Sequence, residues 1–178
     1  SSIADPDHLL LLAQDKTGYE NLMSLISEGY LLGDGGDPAV AFDALEGRTE
    51  GLIALDGAGG SPLSRHLLDG SSMVETHLEA MKSLFDGRLY LELQRHGQSF
   101  ERVLEPRVLK LASAHNLPIV ATNDAHFSAA DQFDAHDVLS CIAQGVTLSH
   151  RDRTRLTPEH YFKTSQDMAR LFADLPEA

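Results

Sequence analysis

The sequence predicts an α/β fold of mostly parallel strands with helices packed outside them. Three observations carry this. Four short runs of strand length and composition recur along the chain, at residues 8–14, 50–56, 88–94 and 117–122. Each is followed by a stretch with apolar residues at helical spacing. Glycines and capping residues punctuate the boundaries. Strand–helix alternation repeated in this way points to a parallel sheet. Four units are too few to close an eight-fold barrel but can form part of one. An incomplete barrel leaves a strand edge open. That favours distortion or pairing with a second copy, so a dimer is an expected assembly.

The first strand, HLLLLAQ at 8–14, is apolar enough to be buried. Thr17 and Glu20 have capping-box spacing. Leu22, Leu25, Ile26 and Gly29 continue a helix that Gly33 should stop. A loop rich in Gly and Asp runs from Gly33 to Pro38, and a short helical turn follows at 40–46. The second strand, EGLIALD at 50–56, ends in the turn Gly57-Ala58-Gly59-Gly60. Ser61 suits an N-cap, with Pro62 at the first helical position, for a short helix reaching Leu68. Ser71 or Ser72 caps a longer helix with an apolar stripe of Met73, Val74, His77, Leu78, Met81, Leu84 and Phe85, ended by Gly87. In the third strand Leu89, Leu91 and Leu93 alternate with Tyr90, Glu92 and Gln94. Residues 99–115 are helical in pattern, but Pro106 removes a backbone bond, so the helix starts near Glu105 or kinks there. LPIVAT at 117–122 reads as a fully apolar fourth strand. Ser128 to Asp131 give a further capping signal, and Ala135, Val138, Leu139, Ile142 and Ala143 form a helical face that Gly145 ends. Thr157-Pro158-Glu159 and Thr164-Ser165-Gln166-Asp167 open two short helices in the tail.

The chain has 178 residues, 42% of them hydrophobic, which suffices for one domain with a real core. Its formal net charge of −13 does not suit bulk attraction to a phosphate backbone, because non-specific nucleic-acid affinity rests on Lys and Arg. Any DNA must be brought by a local site or a larger protein. Solubility is the plainer consequence of the acidity. Cys141 is the single cysteine, so no internal disulfide forms, and it lies in an apolar helical pattern. That fits a reducing compartment. No apolar run approaches the ~20 residues that span a bilayer, and no secretory segment opens the chain, so no membrane partner is expected. The start at Ser1-Ser2-Ile3, without Met, is that expected of an excised fragment.

Ligands of parallel α/β folds bind at the C-terminal ends of the strands. Two places there carry metal-ligand residue types: Gln94-Arg95-His96-Gly97 after the third strand, and Asn123-Asp124-Ala125-His126-Phe127 after the fourth. Residues two apart in an extended segment point to the same side, so Asp124 and His126 can aim at one point that His96 reaches from the neighbouring strand. Imidazole nitrogen and carboxylate oxygen suit zinc or manganese. Such ions activate water, or clamp a phosphoester when paired about 3.5–4 Å apart. The same spacing equally describes a polar strand end with a capping Asp and a half-buried His, and D-x-H is a common tripeptide. His77 and His136 fit packed helical positions; His8, His66, His115, His150 and His160 fit the surface or turns. Asp134 and His136 diverge by about 200° on a helix. The chain holds no P-loop, dinucleotide fingerprint or G-x-S-x-G. The turn at Gly57–Gly60 lacks the Lys-Ser/Thr continuation of a strong anion site.

Several segments in order carry a family resemblance. They are Leu9–Ala13 followed by Thr17-Gly18-Tyr19-Glu20-Asn21-Leu22-Met23, then Gly51–Leu55, Tyr90–Gly97, Ala121–Phe127, Ala135–Leu139 and Leu156–Thr164, running on to Leu171–Ala178. Together they resemble the middle and end of the PHP domain (polymerase and histidinol phosphatase type) of bacterial replicative DNA polymerase III alpha subunits. The resemblance covers nearly the whole chain. It implies a partial PHP-type (β/α)7 barrel over 1–150, with the N-terminal strands missing. It also implies a C-terminal helical extension over 151–178 leading toward the polymerase palm. His96, Asp124 and His126 fall on the family's later metal-ligand positions. The resemblance implies zinc or manganese in the complete site, and magnesium for the polymerase reaction of the parent protein. The family's opening H-x-H motif and the ligands after it are absent and are expected upstream of Ser1. Ala58 stands where some members carry a cysteine.

Three functions follow from the resemblance. One is a piece of a cytoplasmic DNA-directed DNA polymerase whose PHP site supports metal-dependent 3′–5′ exonuclease action. A second is a non-catalytic platform that binds other subunits of the holoenzyme, including the proofreading subunit. A third is a free-standing phosphoesterase, against which the polymerase-like tail from Phe162 argues. No catalytic or cofactor-binding residue is assigned. The chain alone is expected to be inactive and to hold divalent metal weakly, since few ligands without their supporting shell rarely retain zinc.

Overall fold

The structure, a computed structural model, describes residues 6–32, 38–150 and 155–178. The expected stop at Gly33, most of the loop from Gly33 to Pro38, the start at Ser1 and the boundary between 150 and 151 touch residues outside that set. Four strands form one sheet in the order β1-β2-β3-β4: β1 Leu10–Ala13, β2 Leu52–Asp56, β3 Leu89–Leu93 and β4 Ile119–Ala121. β2, β3 and β4 run parallel, in a register that sets Asp56 beside Leu91 and Leu93 beside Ala121. The sheet is open, with β1 and β4 at its edges.

β1 departs from the simple alternation: it pairs antiparallel to β2, with Leu10 opposite Leu55 and Ala13 opposite Leu52. A close approach of two glycines lies at the end of this pairing. The Gln14 N–H donates to the Gly51 carbonyl at 2.8 Å, so the entry of β2 lies against the exit of β1. Helix α1, Lys16–Leu32, starts at that spot. A Cβ on Gly18 would sit 1.9 Å from the Gly51 oxygen, and Gly51 itself has φ +70°. Only glycines allow both. The helix start is capped by Asp15, whose carboxylate accepts from Gly18 N–H at 2.9 Å. The expected Thr17–Glu20 box does not form, and Glu20 instead pairs with Lys16 one turn away. Nor is β1 buried throughout: Leu9 and Leu11 pack on the core, while Leu10 and Leu12 are each 46% exposed.

A 3-10 turn spans Phe42–Leu45, where a helical turn was expected. α2, Pro62–Leu68, opens on Ser61, whose hydroxyl accepts from Ser64 N–H. α3, Val74–Leu84, starts at Met73 without a side-chain cap, and Ser71 instead accepts from Met73 N–H. α4, Glu101–His115, runs across Pro106. Pro106 and Arg102 are both exposed, so water can take the carbonyl that proline leaves unbonded. β4 is only half-buried along its length, as an edge strand is. α5, Phe133–Gln144, ends on left-handed Gly145 as expected, and Cys141 on it is buried. Pro158–His160 form a 3-10 turn capped by Thr157, and α6, Ser165–Leu171, has a capping box of Thr164 and Asp167.

The core lies between sheet and helices. Leu52, Ala54, Leu91 and Leu93 meet Leu63, Leu78, Met81, Phe85 and Val108, all but inaccessible to water. Phe172 from the tail joins the same cluster. Among the described residues no helix is long and apolar enough to cross a membrane.

Candidate metal centre

The C-terminal ends of β2, β3 and β4 share one rim because those strands are parallel. Three residues past the end of β3, His96 is 2% exposed, and the chain turns away at Gly97 with φ +79°. Glu101, in the first turn of α4, grips this bend. Its two carboxylate oxygens accept the His96 N–H at 3.0 and 2.9 Å and the Gln98 N–H at 2.9 Å. The ring Nδ1 of His96 lies 3.1 Å from Glu101 Oε1. Burial works against the charge on Glu101, but these bonds outweigh it and hold the carboxyl below the usual range. An ionised carboxylate only accepts, so Nδ1 carries the proton and Nε2 carries the lone pair. That Nε2 is buried and has no hydrogen-bond partner.

Asp124 and His126 follow β4 on an extended strand end. Both are exposed, and His126 Nε2 lies 3.0 Å from Asp124 Oδ2, so the two side chains do reach one place. Between His96 and His126 stands a third ring. His160 stacks on His96 with centroids 3.9 Å apart and planes 14° apart, and it meets His126 edge-on at 5.9 Å. His136 of α5 stands 5.6 Å from His126. Residues 96 and 126 therefore lie at the same end of the molecule.

His160, expected at the surface or in a turn, does lie in the turn Pro158–His160 but is buried there, 4% exposed. Burial, then the nearby His96, push its imidazole below the ordinary histidine range, and a bond with the Thr157 backbone partly opposes them. The available signal was the spacing Thr157-x-x-His160: a side chain three residues after an N-cap folds back over the cap. His77 is packed, as expected, with Nε2 at 2.7 Å from the buried Asp56 carboxylate.

The donor chemistry of His96 fits a metal ligand. One ring nitrogen is fixed by a carboxylate and the other is bare, the arrangement that orients ligating histidines. Asp124 and His126 satisfy one another instead. Among the described residues no group of three or more His, Cys, Asp or Glu side chains stands ready to hold an ion.

Residues 1–96 match the family described as PHP domain, a match that ends on His96. The chain is 41% identical over 172 residues to DNA polymerase III subunit alpha of Caulobacter vibrioides. It is 38% identical over 175 residues to the Rickettsia bellii subunit and 40% over 174 residues to that of Escherichia coli K12. Each alignment takes in 96% of this chain, Asp124 and His126 included, but the chain spans only 15% of the length of these curated relatives. The chain belongs to the PHP domain family, as a fragment of that domain homologous to the DNA polymerase III alpha subunit.

Proposed function

We propose that the chain serves a cytoplasmic replicative DNA polymerase, and that its rim contributes His96, Asp124 and His126 to a PHP metal site able to cut a phosphodiester at a DNA 3′ end. The observation that carries this is the bare, buried Nε2 of His96, held to its tautomer by Glu101. An unpaired polar atom in a dry site costs free energy, and a bound cation removes that cost. Zinc or manganese suits this donor set, and when bound supplies Lewis-acid stabilisation of phosphate charge. The chain's own residues orient the ligands: Glu101 fixes His96, and Asp124 steadies His126. The polymerase reaction, its magnesium, the DNA contact and the other holoenzyme subunits belong to the longer protein. Residues 151–178 lead toward its palm.

The decisive test uses a longer polymerase that contains this segment. His126→Ala is expected to abolish metal-dependent 3′–5′ nuclease activity while primer extension persists. Unchanged nuclease activity removes the reading. A non-catalytic platform that binds the proofreading subunit is the second reading, favoured by the mutual pairing of Asp124 and His126. Capture of that subunit by the His126→Ala protein, together with nuclease activity absent from the parent, would establish it.

A further inference from the structure

The segment Thr157–Phe162 bridges the two strand ends that carry the candidate ligands. On one side, the Thr157 hydroxyl donates to the His96 carbonyl at 2.7 Å and the His160 ring covers the face of the His96 ring. On the other, the His160 carbonyl accepts the His126 N–H at 2.8 Å, and Phe162 N–H donates to the Phe127 carbonyl at 2.8 Å. The Asn123 side chain donates to the Tyr161 carbonyl at 2.7 Å. Three separate contacts thus hold the His126 strand end, and two hold His96. No direct contact between the 96 and 126 side chains replaces this bridge.

Could His160 be a ligand itself? An imidazole holds an ion in its own ring plane, at about 2.0–2.1 Å from nitrogen. Rings 3.9 Å apart and 14° from parallel keep their lone pairs in two separate, nearly parallel planes. An ion on His96 therefore lies well off the plane of His160. The stack is a wall rather than a second donor. It blocks rotation of the His96 ring about its side-chain bonds, and with Glu101 it keeps Nε2 turned to one place.

We propose that His160 is a positioning residue of this site: its ring braces His96, and its backbone ties the His126 strand end to the same turn. This rests on the metal reading of His96 given above. The outer partners of metal ligands commonly govern affinity about 10–100-fold.

The test uses the 178-residue chain with 15N-labelled histidine, titrated with zinc chloride. In the metal-free chain, His96 is expected to show the single Nδ1–H tautomer. His160→Ala is expected to mix the tautomers and weaken zinc binding about 10–100-fold. His160→Phe keeps a flat ring on His96 and is expected to preserve both properties. Should His160→Ala prove unfolded in a thermal melt, Thr157→Val, which keeps the His160 ring but removes the hydroxyl that bonds His96 and caps the turn, is expected to shift the same signals in the same direction. An unchanged tautomer and affinity in His160→Ala overturn the brace. Equal loss in His160→Phe and His160→Ala overturns it too, by making His160 a ligand. Tautomer changes as expected, with no response of His96 to zinc even in the parent chain, would overturn the metal reading and keep the brace.

Discussion

Glu101 works through hydrogen bonds that a glutamine can only half replace. It accepts two backbone N–H groups and faces the His96 ring, all in a buried corner. Glu101→Gln is expected to lower unfolding free energy by about 1.5–3 kcal/mol, the range for hydrogen bonds to a charged group, read from urea unfolding. A loss of only a few tenths would show that the backbone alone makes the bend. The candidate ligands themselves were legible in the sequence because each follows a strand of clear pattern. His160 was not. Its burial comes from a tail that packs back over the rim, and nothing in the local pattern of T-P-E-H says what lies beneath it. The pairing of Asp124 with His126 was half legible: spacing showed that they share a side, but not that they would turn toward each other.

At the level of elements, helix caps separate what local sequence decides from what packing decides. Ser61, Thr157 and Thr164 cap as expected because hydroxyl, proline or acid sit at the required spacing. Thr17 does not, because the Gly18–Gly51 approach sets the start of α1 one residue after Asp15. Gly18→Ala forces a methyl into the Gly51 carbonyl, so about 2–4 kcal/mol of destabilisation is expected from thermal melting. A melt unchanged by that substitution would contradict the close approach. At the other end, the Thr164 hydroxyl and then its N–H hold the Asp167 carboxyl below its ordinary value of 3.8. The sign follows: the cap's contribution is present above 3.8 and is lost as pH falls through the lower folded value. The Asp167 carboxyl carbon is therefore expected to titrate below 3.8 by NMR, and Thr164→Ala to bring it back up. The direction of β1 was not legible, since alternation of strand and helix carries no information about a return segment. Nor was the continuous path of α4 through Pro106, which depends on the exposure of one turn.

Across the whole molecule, the open sheet ends in β1, with Leu10 and Leu12 exposed, and in β4. Those edges predict dimerisation that grows with concentration, and sedimentation showing only monomer at high concentration would remove it. Purified chain is expected to carry substoichiometric zinc by elemental analysis, because among the described residues no group of three or more His, Cys, Asp or Glu side chains is gathered to hold an ion. The mostly parallel sheet and the shared rim were legible from order alone; the closing contacts of the tail were not. Those contacts converge on Arg95, the residue before His96. Its guanidinium forks onto Glu105 at 2.6 Å, meets Asp174 at 2.7 Å and the Leu171 carbonyl at 2.8 Å, and lies over the Phe172 ring. Chimeras are where this is felt. A graft that exchanges the last fifteen residues with those of a relative must keep an acid at position 174 to match the Arg95–Glu105 pair it meets, or the peptide bearing His96 loses its mooring along with the transplanted end.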